Sequence, residues 1–171
     1  MTEPHPRDTP KGRPVLVRRD EAEVLGTAPG TMTLLADASA TSGFLSSSRT
    51  ALGRGKDGAT PHYHRASAEM FFILDGRLQV LIGDEVVTAR EGDLLVVPPH
   101  TPHAFAAPPD SAADVLIVLT PGVDRFDYFR LLDRIRHGQA DPQEVLRTQE
   151  RFDNHFVDNA AWSQARSASK T

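Results

Sequence analysis

The chain contains no cysteine. It therefore has no disulfide framework and no thiolate ligand, and any metal ion must be held by nitrogen and oxygen donors. Long apolar runs are missing too. Nothing approaches the roughly 18 consecutive apolar residues of a membrane-spanning helix, and the N-terminus shows no signal-type hydrophobic region. The expectation is a cytoplasmic protein without a membrane partner. Charge of one sign is not concentrated: 19 Lys and Arg are interspersed with 23 Asp and Glu, for a formal charge of −4, which argues against a nucleic-acid partner. The first helical pattern appears only after Pro121, so no helix-turn-helix segment precedes it, and no internal repeat is evident. What remains is a chain of 171 residues, the size of one domain that buries a core without staples.

Residues 1–14 place Pro4, Pro6, Pro10 and Pro14 among charged residues, with too little apolar content to fold alone, and read as a flexible arm. Residues 15–122 read as short strands. PVLVRR, TMTLLAD and GFLSSSRTAL supply edge strands; TPHYH, EMFFIL, RLQVLIG, EVVTA, DLLVVP, HAFAA and DVLIVLT follow, separated by turn residues. Asp75-Gly76 and Gly83-Asp84 have the composition of hairpin turns. Such spacing predicts an all-β sandwich or barrel rather than a parallel α/β sheet. From residue 123 the period changes. Phe126, Phe129, Leu132 and Ile135 form a helical stripe, with Asp124 or Asp127 at its start and Gly138 as C-cap. Asp141, Pro142 and Glu144 open a second helix, DPQEVLRTQERF. Residues 123–158 are thus expected as helices packing on the barrel, and residues 159–171, around Trp162, as a flexible tail.

The chemistry concentrates in the middle. His62 and His64 are two apart, so on a strand both imidazoles leave one face. Glu69 opens the apolar run EMFFIL and shares a face with Phe71 and Ile73; a carboxylate there is costly unless paired or metal-bound. His103 follows a Pro-rich turn and enters the strand HAF. Three imidazoles and one carboxylate suit one mononuclear divalent transition metal per chain, and Fe, Mn, Ni, Cu and Zn all remain open. His100, in the turn before His103, is a fifth donor, a proton shuttle or, as a turn residue, simply solvent-facing. Phe71, Ile73 and Phe105, with Val80 and Ile82, alternate on strands. With His100 they are candidate substrate contacts, and an apolar space beside a metal suits an aromatic small molecule. Arg49, Arg54 and Lys56 either steer an anionic substrate or decorate a solvated edge. His137 and His155 read as surface residues at helix ends, and His5 belongs to the arm.

These motifs resemble the cupin superfamily, whose first motif reads G-x5-H-x-H-x3-4-E-x6-G and whose second reads G-x5-P-x-G-x2-H-x3-N. Here four residues separate His64 from Glu69, six more lead to Gly76, and fifteen lie between Gly76 and Gly92. Gly92, Pro98 and His103 match the second motif. Three residues instead of five separate Gly58 from His62, His100 replaces the second glycine, and Ala107 replaces the asparagine. The resemblance covers about the middle half of the chain, and its wording is most similar to small, single-domain quercetinase-like bacterial cupins. It implies a double-stranded β-helix, or jelly-roll barrel, with a C-terminal helical extension, and a homodimer. It also implies His62, His64, Glu69 and His103 as metal ligands, with Glu69 as catalytic base in a dioxygenase. A non-redox lyase, isomerase or polyketide cyclase and a non-catalytic binding cupin remain alternatives.

Overall fold

The computed structural model describes residues 12–168. The expected arm over residues 1–14 therefore lies almost wholly outside the described residues, as do residues 169–171. Nine strands run in chain order: β1 (Glu23–Thr27), β2 (Gly30–Ala36), β3 (Ser46–Leu52), β4 (Asp57–Tyr63), β5 (Ala68–Ile82), β6 (Glu85–Arg90), β7 (Leu94–Val97), β8 (His103–Ala106) and β9 (Ala113–Thr120). A two-residue strand, β10 (His155–Phe156), returns after the helices α1 (Phe126–Arg136), α2 (Gln143–Arg147) and α3 (Gln149–Phe152), and α4 (Ala160–Ala168) ends the described chain. The strands pair in the order β1-β2-β3-β9-β5-β8-β4-β10, with β6 and β7 also on β5. The result is an antiparallel sheet curled into a barrel.

β5 makes the curl. Its first half, from Ala68 to Gly76, pairs with β9 and β7, and its second half, from Arg77 to Ile82, pairs with β6 and β8. Asp75-Gly76 is therefore not a hairpin: the runs EMFFIL and RLQVLI are one 15-residue strand turning a corner. The register shifts between Ile73 and Asp75. Gly76 takes φ +72°, and a Cβ there would meet the Ala112 carbonyl oxygen at 2.1 Å, so glycine is required by a bend rather than by a turn. Gly83-Asp84 is the hairpin expected, joining Ile82 to its partner Glu85. PVLVRR is not a strand. It has no ladder partner, and Leu16 is 74% exposed.

Inward side chains fill the barrel. Phe71, Ile73, Val115, Ile117 and Leu119 face across the β5–β9 pair and join Leu78, Val80, Val97 and Phe105 in one core. Outside, Leu81, Ala104 and Ala106 form a second apolar patch covered by Trp162 of α4. This explains why all four residues of β8 are buried: His103 and Phe105 point in, Ala104 and Ala106 out. Residues 160–168, expected as a fraying tail, are instead a helix held by the buried Trp162 and by Arg166, whose guanidinium donates to Asp57 Oδ1 at 2.8 Å, Gln79 Oε1 at 3.0 Å and the Gly55 carbonyl at 2.9 Å.

The helices α1–α3 pack Tyr128, Leu131, Val145 and Phe152 into a third small core. α1 is capped by a remote residue: Asp37 accepts from the backbone N–H of Arg125 (2.7 Å) and Phe126 (3.3 Å), while Asp124, the sequence candidate, accepts from Ser39 N–H. The second helical run breaks at Thr148 into α2 and α3. Its start is as read: Asp141 Oδ1 accepts from Gln143 N–H, and Glu144 Oε1 accepts from Asp141 N–H.

Candidate metal centre and its cavity

His62 and His103 are direct cross-strand partners on β4 and β8. Glu69 projects from β5 opposite Leu119, and His64 lies one residue past β4. Between the walls these four side chains offer ligand atoms all within 4.8 Å of one another, and every one of them is buried. Glu69 Oε2 lies 2.6 Å from His103 Nε2, 3.2 Å from His64 Nε2 and 4.0 Å from His62 Nε2.

The opposite nitrogens say what the cluster is for. Each Nδ1 faces a backbone carbonyl: Thr60 for His62 (2.8 Å), Asp153 for His64 (2.5 Å) and Thr101 for His103 (2.8 Å). A carbonyl only accepts, so each Nδ1 carries the proton and donates it. Each neutral ring then turns an Nε2 lone pair toward a carboxylate. Three lone pairs and an anion at such distances repel unless something positive sits among them. A single Glu69 cannot balance three buried imidazolium ions, whereas a divalent cation satisfies the whole set, and the Nδ1 bonds are the outer contacts that orient metal-ligating histidines. The residues fit a metal ion.

With no ion bound, a proton shared between Glu69 and His103 is the alternative positive charge for the cluster. Burial pushes His62 well below its usual pKa, and the neighbouring His103 adds to the effect. Burial is the largest single influence against charge on Glu69 and His103, but the hydrogen bonds and charges around them together outweigh it: those from His103 and His64 take Glu69 well below the carboxylate range, and those from Glu69 and the Thr101 carbonyl raise His103.

His62 and Glu69 open onto a cavity of about 760 Å³ between the barrel and α1, within the range of small-molecule sites. Its walls are largely apolar and include Met32, Leu52, Phe105, Leu119, Phe129 and Ile135. Of the sequence candidates for substrate contact, Phe105 lines it. Phe71 and Ile73 do not: both are fully buried in the core, where Phe71 packs against the rings of His103 and Phe105 and so supports a ligand. His100 is exposed and outside the cavity. Its φ of +65° is the left-handed conformation the motif's glycine would take, and its N–H donates to the His64 carbonyl at 2.7 Å, so the turn is kept despite the substitution. Lys56 is at the cavity wall, whereas Arg49 pairs with Asp114 on β9.

The sequence reading missed the helical side of the site. Arg125, Tyr128 and Asn154 line the same cavity as His62 and Glu69. Asp153 accepts from Arg65 and Ala66 N–H at 2.7 and 2.9 Å while its carbonyl holds His64. His155, expected at a surface helix end, is buried in β10 and stacks on Tyr63 at 5.2 Å. These residues stand some 60 to 90 positions after His62 and His64 and carry no spacing signal.

Residues 49–119 match the family model of the cupin domain. An uncharacterized protein of Methanocaldococcus jannaschii is 38% identical over 42 residues, which are 25% of this chain and 34% of that protein; the match thus spans about a third of the relative's length. Among solved structures, Streptomyces Pac13, described as a nucleoside dehydratase, superposes with a TM-score of 0.54 at 15% identity, over 67% of this chain and 88% of that one. The polyketide cyclase RemF of Streptomyces resistomycificus gives 0.52 at 16% identity, over 72% and 97%. At these identities the likeness is one of fold. Residues 49–119 thus match a cupin domain, and they form part of a curled antiparallel barrel with C-terminal helices packed on it.

Proposed function

We propose that the protein is a metal-dependent enzyme of the quercetinase-like dioxygenase kind, acting on a small aromatic or enolisable substrate. The observation that carries this reading is the convergence of three Nε2 atoms and Glu69 at the base of an apolar cavity. His62, His64, Glu69 and His103 would hold one divalent ion. When bound, the ion supplies Lewis acidity and, if redox-active, a meeting point for substrate and dioxygen. The chain's own residues do the rest. The apolar wall excludes water and packs against the substrate skeleton, and Glu69, whose Oε2 already meets His103, takes the substrate hydroxyl proton. Oxygen-electrode screening of the metal-loaded protein with flavonols and other enolisable aromatics tests this. Oxygen uptake that depends on substrate and is lost in Glu69→Gln supports it; substrate turnover without oxygen uptake contradicts it.

A second reading, a non-redox lyase or cyclase, is favoured by Tyr128. Burial raises its pKa, and its oxygen accepts from Asn154 Nδ2 at 3.3 Å, leaving the phenol proton free to donate into the cavity. A dehydration or cyclisation needs such an acid, and Pac13 and RemF carry those activities on this fold. Stoichiometric zinc would favour it. We also propose a homodimer. Exposed Leu74, Leu94 and Val96 on the outer face of the β5–β7 wall suit pairing of two copies, and sedimentation velocity decides the point.

A further inference from the structure

Arg125 is 4% exposed and lines the cavity. A buried guanidinium is costly unless an anion balances it. Among the described residues, no carboxylate lies within ion-pair distance of it. Nη2 donates to the neutral Asn154 Oδ1 at 2.8 Å, and the guanidinium carbon sits 5.1 Å and 5.4 Å from the ring centres of Tyr128 and Phe129. The contacts of Asp37 are with the backbone, its two oxygens accepting from the N–H groups of Arg125 and Phe126 that open α1. Arg125 Nε has no hydrogen-bond partner among the described residues, and neither does the buried hydroxyl of Thr50, which lines the same cavity.

We propose that Arg125 is the anion-recognition residue of this cavity and that its ligand is a compact apolar acid, a hydrophobic skeleton carrying one carboxylate. This rests on the reading of the cavity as the substrate site and names its substrate class. The planar fork of a guanidinium matches a carboxylate. One cation beside a neutral amide and neutral hydroxyls balances one negative charge, which suits a carboxylate better than a doubly charged phosphate. The Met32, Leu52, Phe105 and Phe129 walls take the skeleton. With the carboxylate on Arg125, the rest of the molecule occupies the space that His62 and Glu69 also line, so Arg125 is a positioning residue for whatever chemistry occurs there.

The test is calorimetric titration of metal-loaded protein with 3-phenylpropanoate and 2-naphthoate, each beside its neutral primary amide. The acids should bind at least about tenfold more tightly than their amides, the scale of one charge-assisted contact. Arg125→Gln should abolish that preference while metal content is unchanged. Asn154→Asp, which sets a carboxylate beside the guanidinium, should reduce it independently, and serves if Arg125→Gln fails to fold. Equal binding of acid and amide, no binding of either pair, or a preference that survives Arg125→Gln would overturn the proposal. So would acids lost from metal-free His62→Ala but retained by Arg125→Gln, since they would then be sitting on the metal. A preference that persists in His62→Ala and vanishes in Arg125→Gln keeps the Arg125 assignment even if the metal reading fails.

Discussion

The barrel side and the helical side of the cavity handle buried charge differently. On the barrel side an anion, Glu69, is surrounded by three imidazoles whose Nδ1 protons are committed to carbonyls. On the helical side a cation, Arg125, has a neutral amide and two aromatic rings for company. The first arrangement calls for a metal ion and the second for an anionic ligand. The imidazoles are fixed by backbone carbonyls and the guanidinium by the Asn154 side chain before any ligand arrives, and such preorganisation is what a binding site requires.

The largest effect should come from emptying the barrel side. A chelator that strips the metal should lower stability by about 4 kcal/mol when the ion had been present at a thousandfold over its dissociation constant, seen as a drop in melting temperature. Arg125→Gln should leave that metal-linked drop intact, and its disappearance would mean that the two sides are not separable. Next, Trp162→Ala should cost about 3 to 5 kcal/mol, because it uncovers Leu81, Ala104 and Ala106 behind His103. Denaturant titration measures the loss, and metal stoichiometry should survive it at low temperature.

A smaller effect concerns pH. Glu69 raises the pKa of His103 in the metal-free site, and a protonated ring cannot bind metal. Metal content at fixed free metal should therefore fall as pH is lowered through that raised value and recover above it, with equilibrium dialysis as the measurement. The smallest effect belongs to His100→Gly, which should stabilise by up to about 1 kcal/mol by relieving a left-handed φ. It should leave metal content unchanged; a loss would place His100 in the site after all.

The barrel side was legible in the sequence because strand geometry is short-range. His62 and His64 two apart, Glu69 on the following run and His103 after a turn declare a shared face through period two. The strands from TMTLLAD to DVLIVLT were legible for the same reason. The corner at Gly76 was not, since a bulge and a hairpin use the same residues and only the pairing of β5 with both walls tells them apart. α4 was missed because its stability comes from Trp162 meeting a patch on β8, a contact far away in sequence. Arg125 and Asn154 were missed likewise: nothing local marks an arginine whose partner is 29 residues away.

The most direct test of the central claim is elemental analysis of protein purified without added metal, beside His62→Ala and Glu69→Ala. The convergent donor set predicts about one transition-metal ion per chain, absent from both variants while circular dichroism shows them folded. A folded wild type that holds no metal even after reconstitution, or variants that keep theirs, would contradict it.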